Sequence, residues 1–250
     1  MTAKPGPALL WPTLLSVAAF AVLIGLGTWQ MQRKSWKDGL IAQIAARTTA
    51  PPIAFAEAIE RMRKAESLEY TRVVVTGRWL PGREQHYWTA TPAGPGWHIY
   101  APLATTDGPI VIVNRGFVPD ARRDPALRPE PPAPAAVQLV GLLRKAEVRT
   151  TFTPDNVPAR NIWYWRDLDG MARSMLADAT GPVAPFFLDA ERGSAPPQAP
   201  QGGVTRLDLP NTHLQYALTW YGLAATLVGV YAAFAWGRLQ QRGEPGRPPT

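Results

Sequence analysis

Cysteine is missing from this chain of 250 residues. Its absence excludes disulfides, thiol redox chemistry, cysteine-ligated zinc, iron–sulfur clusters and covalent attachment of c-type haem. The sequence also lacks a G-x-S-x-G turn, an H-E-x-x-H helix and a phosphate-binding P-loop, which mark common hydrolases and nucleotide enzymes. We therefore expect no catalytic turnover, and an enzyme is the least supported interpretation.

Charge is missing from two long apolar stretches. Residues 9–29 contain no charged residue and no Asn or Gln, and these 21 residues would span roughly 30 Å as a helix. Residues 209–237 are uncharged apart from the titratable His213, and the 23 residues from 214 to 236 would span about 34 Å. The hydrocarbon core of a bilayer is about 30 Å thick. The sequence therefore predicts two transmembrane helices, 9–29 and 213–236.

The first stretch has an alternative interpretation as a cleaved signal peptide, because Gly25-Leu26-Gly27 resembles a small-x-small cleavage site. Its apolar run, however, is longer than the core of a signal peptide, which has about 7–15 residues. Trp11 and Trp29 lie at its two ends, as in the aromatic belts of membrane spans. An uncleaved anchor is favoured, with about 180 residues between the two spans.

The net charge of +7 comes from basic residues scattered among carboxylates, without an Arg- or Lys-rich block. A membrane lipid surface explains this charge better than nucleic acid, which we do not expect as a partner. Basic residues occur before the first span, after it and after the second span: Lys4; Arg33, Lys34 and Lys37; Arg238, Arg242 and Arg247. Because long loops translocate largely regardless of charge, this distribution leaves the orientation undecided.

The segment between the spans predicts an α+β fold: an antiparallel sheet or open barrel with short helices. Runs of β-branched and aromatic residues bounded by Pro and Gly predict strands, and apolar spacing predicts that the first helix continues to about residue 50. The expected strands are 70–79, 84–90, 97–103, 109–118, 137–144, 162–166 and 184–189. The expected short helices are 53–67 and 167–177, and the expected loops are the Pro-rich segment 119–136 and the segment 192–203.

Titratable residues in this central segment give weak signals. His86 and His98 fall in predicted strands without a carboxylate at matched spacing, so a metal site there is poorly supported. Asp167 and Asp169 lie two residues apart and are candidates for an acid pair, but the start of a helix explains them as well.

His213 differs because it lies where the second span begins. Pro210 and Asn211 end any preceding strand, and Thr212 with Gln215 fits a capping box, so His213 is expected to be the first helical residue. An ionisable residue at membrane depth suggests a function. The positive end of the helix dipole disfavours the imidazolium form, which would leave a ring lone pair for a metal.

Aromatic and small residues follow His213 at helical spacing: Tyr216, Ala217, Trp220, Ala224 and Leu227. The small side chains in this row are expected to leave room for a flat apolar ligand. If the two spans form a hairpin, Trp29 lies at the same end as His213, and Arg33 and Lys34 form a cationic rim. A neutral histidine, aromatic walls and a cationic rim suit a haem, whose iron takes an axial ligand and whose propionates lie at the surface. The alternative is an interfacial histidine without a ligand.

Short motifs extend over nearly the whole chain. They are Gly27-Thr28-Trp29-Gln30 with Arg33, Trp36 and Lys37; Val75-Thr76-Gly77; Val113-Asn114-Arg115-Gly116-Phe117-Val118-Pro119; Val140-Gly141; residues 163–167; and Asn211, His213, Tyr216-Ala217 and Trp220. Their order and spacing together resemble the Surfeit locus protein family, the membrane-anchored assembly factors of cytochrome c oxidase.

This resemblance implies two spans with residues 1–8 and the basic tail 237–250 in the cytoplasm and the α+β domain, residues 30–212, outside it. It also implies delivery of haem a to the catalytic subunit of the oxidase, with His213 as axial ligand of the haem iron. The resemblance and the helical spacing together suggest which residues bind haem. They are His213, Tyr216, Trp220, Trp29 and Arg33.

The resemblance also bears on partners and location. The catalytic subunit is the expected partner, and the haem a synthesis machinery is a further candidate. Because the N-terminus lacks the Arg- and Ser-rich character of a mitochondrial transit peptide, a bacterial inner membrane with the domain in the periplasm is favoured.

A cofactor-free scaffold that stabilises assembly intermediates is the alternative function. The Asn114-Arg115-Gly116 turn is expected to have a structural or partner-contact role. Gly116 is expected to supply a bend at a strand end, and Arg115 is expected to be an exposed partner contact.

Overall fold

The structure, a computed structural model, describes residues 7–91, 94–106, 108–128, 135–179, 181–193 and 199–243. The expected segments 1–8 and 237–250 and the loops 119–136 and 192–203 therefore lie partly outside the described residues. The chain divides into two compact units, residues 1–43 with 208–250 and residues 44–207. We call the first the helical unit and the second the barrel unit.

The described chain begins and ends with a long helix, and most of its strands follow one another in the middle. In order the helices and strands are α1 (Pro7–Thr49), β1 (Ile53–Ala54), α2 (Phe55–Arg63), β2 (Arg72–Trp79), β3 (Gln85–Thr91), β4 (Gly94–Thr105), β5 (Ile110–Pro119), β6 (Val137–Arg144), α3 (Leu168–Met175), β7 (Val183–Ala190) and α4 (His213–Gly243). The expected α+β class is confirmed.

The two terminal helices are candidate membrane spans. Both α1 and α4 contain stretches long and apolar enough to cross a membrane, and only 6% and 11% of those stretches are buried inside the protein. The core helix of a soluble protein would be mostly buried. α1 continues without a break to Thr49, as its apolar spacing predicted, and α4 begins at His213, the residue predicted from the capping pattern.

Five strands of the barrel unit close into a barrel-like sheet. β2 pairs with β6, β6 with β7, β7 with β5, β5 with β4, and β4 returns to β2. β3 extends the sheet beyond β4, and the two-residue β1 pairs with β2. Most pairs are antiparallel, as predicted, whereas β1–β2 and β5–β7 are parallel.

Alternating side chains fill the barrel. In β2, Val73 and Val75 are buried while their neighbours are partly exposed, which is the two-residue period of a strand with one face in the core. α2 covers one side, where the Phe55 ring meets Phe186 edge to face at 5.8 Å between centroids. α3 covers another side through Met171. The core therefore forms between the barrel and its short helices.

The expected strand at residues 162–166 is wrong. Trp163 forms only an isolated bridge with Tyr87. The side-chain oxygen of Asn156 accepts hydrogen bonds from the backbone N–H groups of Tyr164 and Trp165 at 2.7 and 3.3 Å. These bonds satisfy donors that a strand would pair with its neighbour, so the aromatic run stays in a loop despite its β propensity.

Two helix predictions have different outcomes. α2 ends at Arg63, short of the expected residue 67, and Ala65 just beyond it has a left-handed φ of 59°. α3 begins after Asp167, whose carboxylate accepts from the backbone N–H of Gly170 at 2.9 Å. The helix start thus accounts for Asp167.

Candidate functional site

Within the helical unit, α1 and α4 pack as an antiparallel hairpin. Hydrogen-bonded pairs occur at successive levels along the two helices: Asp38 with Asn211, Gln30 with His213, Thr28 with Tyr221, and Thr13 with Tyr231. The positions fall along α1 as they rise along α4. The hairpin that the haem hypothesis required is therefore present.

Small residues let the two helices approach closely. A Cβ atom at Gly27 would lie 2.5 Å from the Tyr221 ring. Ala217 and Ala224 are 0% and 1% exposed. Close packing through small residues is typical of helix pairs in lipid. The expectation that these alanines leave room for a flat ligand is wrong, because such a ligand would have to separate the helices to reach them.

His213 is hydrogen bonded to the other helix. It is half-buried, and its Nδ1 lies 2.7 Å from Oε1 of Gln30. Because an amide oxygen can only accept, Nδ1 carries the proton and donates. In a neutral ring this leaves the lone pair on Nε2, the arrangement that metal-binding histidines use.

Gln30 is a residue that the sequence argument missed as part of the site. It lies one position after Trp29 in the Gly27-Thr28-Trp29-Gln30 motif. Helical spacing within one helix cannot reveal a partner on another helix. One signal in the sequence did point to Gln30. The Gly27-Thr28-Trp29-Gln30 motif lies at the end of the first span, which is the end that meets His213 if the two spans form a hairpin.

Further polar contacts hold the start of α4 against α1. Asn211 Nδ2 donates to Asp38 Oδ1 at 2.8 Å, and Lys34 Nζ donates to Asp38 Oδ2 at 2.6 Å. Lys37 Nζ donates to the backbone oxygen of Pro210. Lys34, which the sequence placed on the cationic rim, is therefore paired with a carboxylate, and Arg33 is the better candidate for meeting an acidic ligand group.

The other predicted haem-binding residues lie on the outer surfaces of the hairpin. Trp29 is 54% exposed and Tyr216 is 55% exposed, whereas Trp220 is half-buried. The Arg33 guanidinium carbon lies 4.0 Å from the centre of the Trp36 ring. The structure thus brings His213 to Gln30, next to Trp29 in the chain.

Among the described residues, no hydrogen bond, ion pair or ring contact joins Trp29 or Arg33 to His213 or to the aromatic residues of α4. A shallow groove of about 630 Å³ lies on α4, lined by Asn211, Thr212, Leu214, Gln215, Leu218 and Thr219. None of the predicted haem-binding residues lines it. A flat ligand would therefore have to use the exposed aromatic faces.

The side chains at this end of the hairpin fit the chemistry of a haem. His213 offers Nε2 as an axial ligand, and Trp29 and Tyr216 offer exposed rings for an apolar macrocycle. Arg33 is an exposed cation, suited to a propionate. A haem would have to contact the aromatic rings on the outside of the hairpin, because the small residues between the two helices are packed and leave no space for it.

Arg115 and Gly116 lie in the barrel unit, inside β5 rather than at its end. The register with β4 shifts here: Ile99 is opposite Gly116 and Tyr100 is opposite Asn114, so Arg115 is the extra residue of a β-bulge. Gly116 has a φ of 129°, and a Cβ there would lie 2.1 Å from the backbone of Gln201. The bend at Gly116 exists, but at mid-strand.

Arg115 is half-buried rather than fully exposed. Its guanidinium carbon lies 5.2 Å from the centre of the Trp79 ring. Both residues line a cavity of about 510 Å³, together with Leu80, Pro81, Gly82, Arg83, Glu84, Ala101, Pro125, Ala126 and Arg128. The bulge therefore directs Arg115 into a concave, partly cationic surface.

The two histidines of the barrel unit have structural surroundings. His86 Nε2 lies 2.7 Å from Glu84 Oε1, and His86 Nδ1 accepts from Arg123 Nε at 3.1 Å. Both ring nitrogens are thus engaged. His98 stacks on Tyr87, and burial lowers the pKa of His98 to about 4. Among the described residues, no three His, Cys, Asp or Glu side chains cluster closely enough to hold a metal ion.

Known proteins resemble this chain over most of its length. The SURF1 family matches residues 17–225. Surfeit locus protein 1 of Homo sapiens is 37% identical over 251 residues, covering 93% of this chain and 77% of the human protein. Surfeit locus protein 1 of Mus musculus is 40% identical, covering 82% of this chain and 69% of the mouse protein. The SURF1-like protein of Monosiga brevicollis is 34% identical and covers 96% and 90%. The chain therefore belongs to the SURF1 family.

Proposed function

We propose that this protein is a membrane-anchored assembly factor for haem–copper cytochrome c oxidase, which binds haem a and assists its delivery into the catalytic subunit. Membership of the SURF1 family supports the assembly role. The observation that carries the haem assignment is the bond between His213 Nδ1 and Gln30 Oε1 at the start of α4. It leaves Nε2 as the nitrogen for iron.

The remaining residues have distinct roles in this proposal. Trp29, Tyr216 and Trp220 offer apolar faces to the macrocycle, and Arg33 pairs with a propionate at the membrane surface. Since the helices are closely packed below His213, haem a would lie on the outside of the hairpin. An outside position suits transfer, because the cargo can pass to a partner without opening a core.

We propose that the protein binds, positions and hands over haem a without chemical turnover. Its partner is the catalytic subunit of the oxidase, with the haem a synthesis machinery as a second partner and membrane lipid around α1 and α4. The barrel unit lies outside the cytoplasm, in the periplasm of a bacterial cell, with both termini inside. Lys34 and Lys37 do not oppose this orientation, because a long segment between two spans translocates largely regardless of its charge.

Topology and location have direct tests. The three relatives named above come from eukaryotes. Fractionation of the native cells would place the protein in the plasma membrane if the proposal is right. A reporter fused after Thr250 should be active on the cytoplasmic side, and activity on the periplasmic side would overturn the orientation.

The second candidate function is a cofactor-free scaffold, and the cavity around Arg115 and Trp79 favours it. In this case the barrel unit would contact oxidase subunits and the hairpin would serve as an anchor only. Both functions can operate in one protein, but only the first requires a haem.

An absorption spectrum separates the two candidates. The full chain is purified in detergent from cells that make haem a, and the extracted pigment is identified by its pyridine haemochrome. We expect a Soret band and haem a in the extract. A colourless protein from haem a-producing cells would contradict haem binding and leave the scaffold as the function.

A further inference from the structure

We propose that Gln30 is a positioning residue of the haem site, because it determines which ring nitrogen of His213 is left for iron. The inference rests on the proposed function, in which His213 is the axial ligand. Its physical basis is the 2.7 Å contact between His213 Nδ1 and Gln30 Oε1.

A fixed acceptor at Nδ1 has two consequences for a histidine ligand. It selects the tautomer with the proton on Nδ1, so the lone pair is on Nε2, and it holds the ring in one orientation. Without the acceptor, the neutral ring exchanges between two tautomers and the side chain can rotate. Loss of such an outer partner typically lowers metal affinity by about 10–100-fold.

The contact is held in place from both sides along the hairpin. On one side, Tyr221 packs against Gly27, and its hydroxyl lies 3.3 Å from Thr28 Oγ1. On the other side, Asn211 donates to Asp38 at 2.8 Å. Because both neighbouring levels are fixed, Gln30 and His213 face each other as a consequence of the helix register.

The chemistry of the amide also matters. The neutral amide oxygen of Gln30 accepts from Nδ1 and fixes the tautomer without placing a charge beside the ring. A leucine of similar size offers no acceptor, whereas a glutamate keeps one.

The first experiment needs no haem. The chain contains three histidines, so the ring nitrogens of the full-length, ¹⁵N-histidine-labelled protein in detergent can be assigned with His213→Ala as reference. We expect His213 to be protonated at Nδ1 in the wild type and to become a tautomer mixture in Gln30→Leu. An unchanged tautomer in Gln30→Leu would overturn the inference.

The second experiment measures binding of haem a to the haem-free protein by titration of the Soret band. Gln30→Leu should bind about 10-fold or more weakly. Gln30→Glu keeps an acceptor for Nδ1 and should bind nearly as well as wild type. Thr13→Val, which removes a bond between the same helices far from His213, is the matched control and should leave affinity unchanged.

The outcomes separate the inference from the proposed function. If haem a binds through His213 and Gln30→Leu binds as tightly as wild type, the positioning role fails and the function stands. If Thr13→Val and Gln30→Leu weaken binding equally, Gln30 only joins the helices and the inference also fails. If the wild type binds no haem a, the proposed function fails together with it.

Discussion

The two compact units are stabilised by different means. The barrel unit has an interior filled by apolar side chains of its strands and short helices, of which Val73, Leu103 and Phe186 are fully buried. The helical unit buries little of its apolar surface and is joined by small residues and a few polar bonds. Stability is therefore concentrated in the barrel, whereas the candidate ligand site lies in the unit that buries less apolar surface.

The polar groups of the two units differ in the same way. In the barrel, the buried Asp189 carboxylate accepts from Asn114 at 3.1 Å, from Thr205 at 2.8 Å and from Arg144 at 3.2 Å. A buried carboxylate with three hydrogen-bond partners supports the fold. Removing one partner would leave the negative charge buried with less compensation, which destabilises the folded state. In the hairpin, the His213 ring contacts the neutral amide of Gln30 at 2.7 Å.

The largest expected effect comes from a close backbone contact in the barrel. Gly116→Ala places a Cβ against the backbone of Gln201 at a residue with a φ of 129°. Strain and overpacking together should lower the free energy of unfolding by about 4 kcal/mol. Thermal unfolding of the full chain in detergent measures this.

Gly181→Ala is the matched control for Gly116→Ala. Gly181 has a φ of 139° and open space around its Cβ position, so the control carries the backbone strain without the clash. It should destabilise less. Equal effects of the two substitutions would contradict the contact between β5 and the segment at Gln201.

The second prediction concerns the pH dependence of the barrel. Burial, reinforced by Arg166, Arg206 and Arg144 and opposed by Asp189, lowers the pKa of His98 to about 4. The unfolded chain binds this proton at about pH 6.5, so the stabilisation is present above that pH and is lost as the pH falls toward 4. His98 is partly accessible, so about 2 kcal/mol should be lost across this window.

Unfolding midpoints of wild type and His98→Gln between pH 7 and pH 4 check the assignment. The variant should show a shallower fall in stability over the interval, whatever its stability at neutral pH. Parallel pH profiles for the two proteins would mean that His98 titrates normally.

The third prediction tests the close approach of the two helices of the hairpin at Gly27. Gly27→Val should push the Tyr221 ring away and weaken helix pairing by about 1–2 kcal/mol. Because the chain has no cysteine, spin labels at Leu14→Cys and Val230→Cys report the helix separation without background. The distance distribution should widen toward longer values in Gly27→Val.

Gly25→Val is the control for the hairpin experiment, since a Cβ at Gly25 meets nothing within 4 Å. It should leave the distance distribution unchanged. A shift of the same size in both variants would show that added volume on α1, rather than the Gly27–Tyr221 contact, separates the labels.

The smallest effect on stability is expected for Arg115→Ala, which removes a side chain from a cavity wall. If Arg115 contacts the oxidase, the amount of assembled oxidase should fall although the barrel remains folded. Arg78→Ala, an exposed arginine in β2, removes the same charge and should leave assembly unchanged. Normal assembly with Arg115→Ala would end its role as a partner contact.

Sequence patterns predicted the parts of the fold that depend on local periodicity. Apolar length gave the two candidate spans, β-branched runs gave six of the seven strands, and capping chemistry placed the first residues of α3 and α4. The predicted strand at residues 162–166 is wrong because the side chain of Asn156, several residues earlier, accepts hydrogen bonds that keep this segment in a loop. β1 was not predicted, because two residues are too few to show the alternation of a strand.

Sequence patterns did not predict which distant segments of the chain contact each other. Closure of the barrel by β2 and β4, the bulge at Arg115 and the pairing of Gln30 with His213 each join residues separated by many positions. The alternation of apolar residues gives the face of a strand or helix, but not what covers it. For this reason Ala217 and Ala224 suggested free space on α4 where the structure has tight packing.

The most direct measurement of the central claim is the haem content of His213→Ala, purified in detergent from cells that make haem a. Leu214→Ala, at the next and exposed position, is the control. We predict that the Soret band disappears in His213→Ala and remains in Leu214→Ala. A Soret band that survives in His213→Ala at wild-type intensity would contradict the assignment of His213 as the axial ligand.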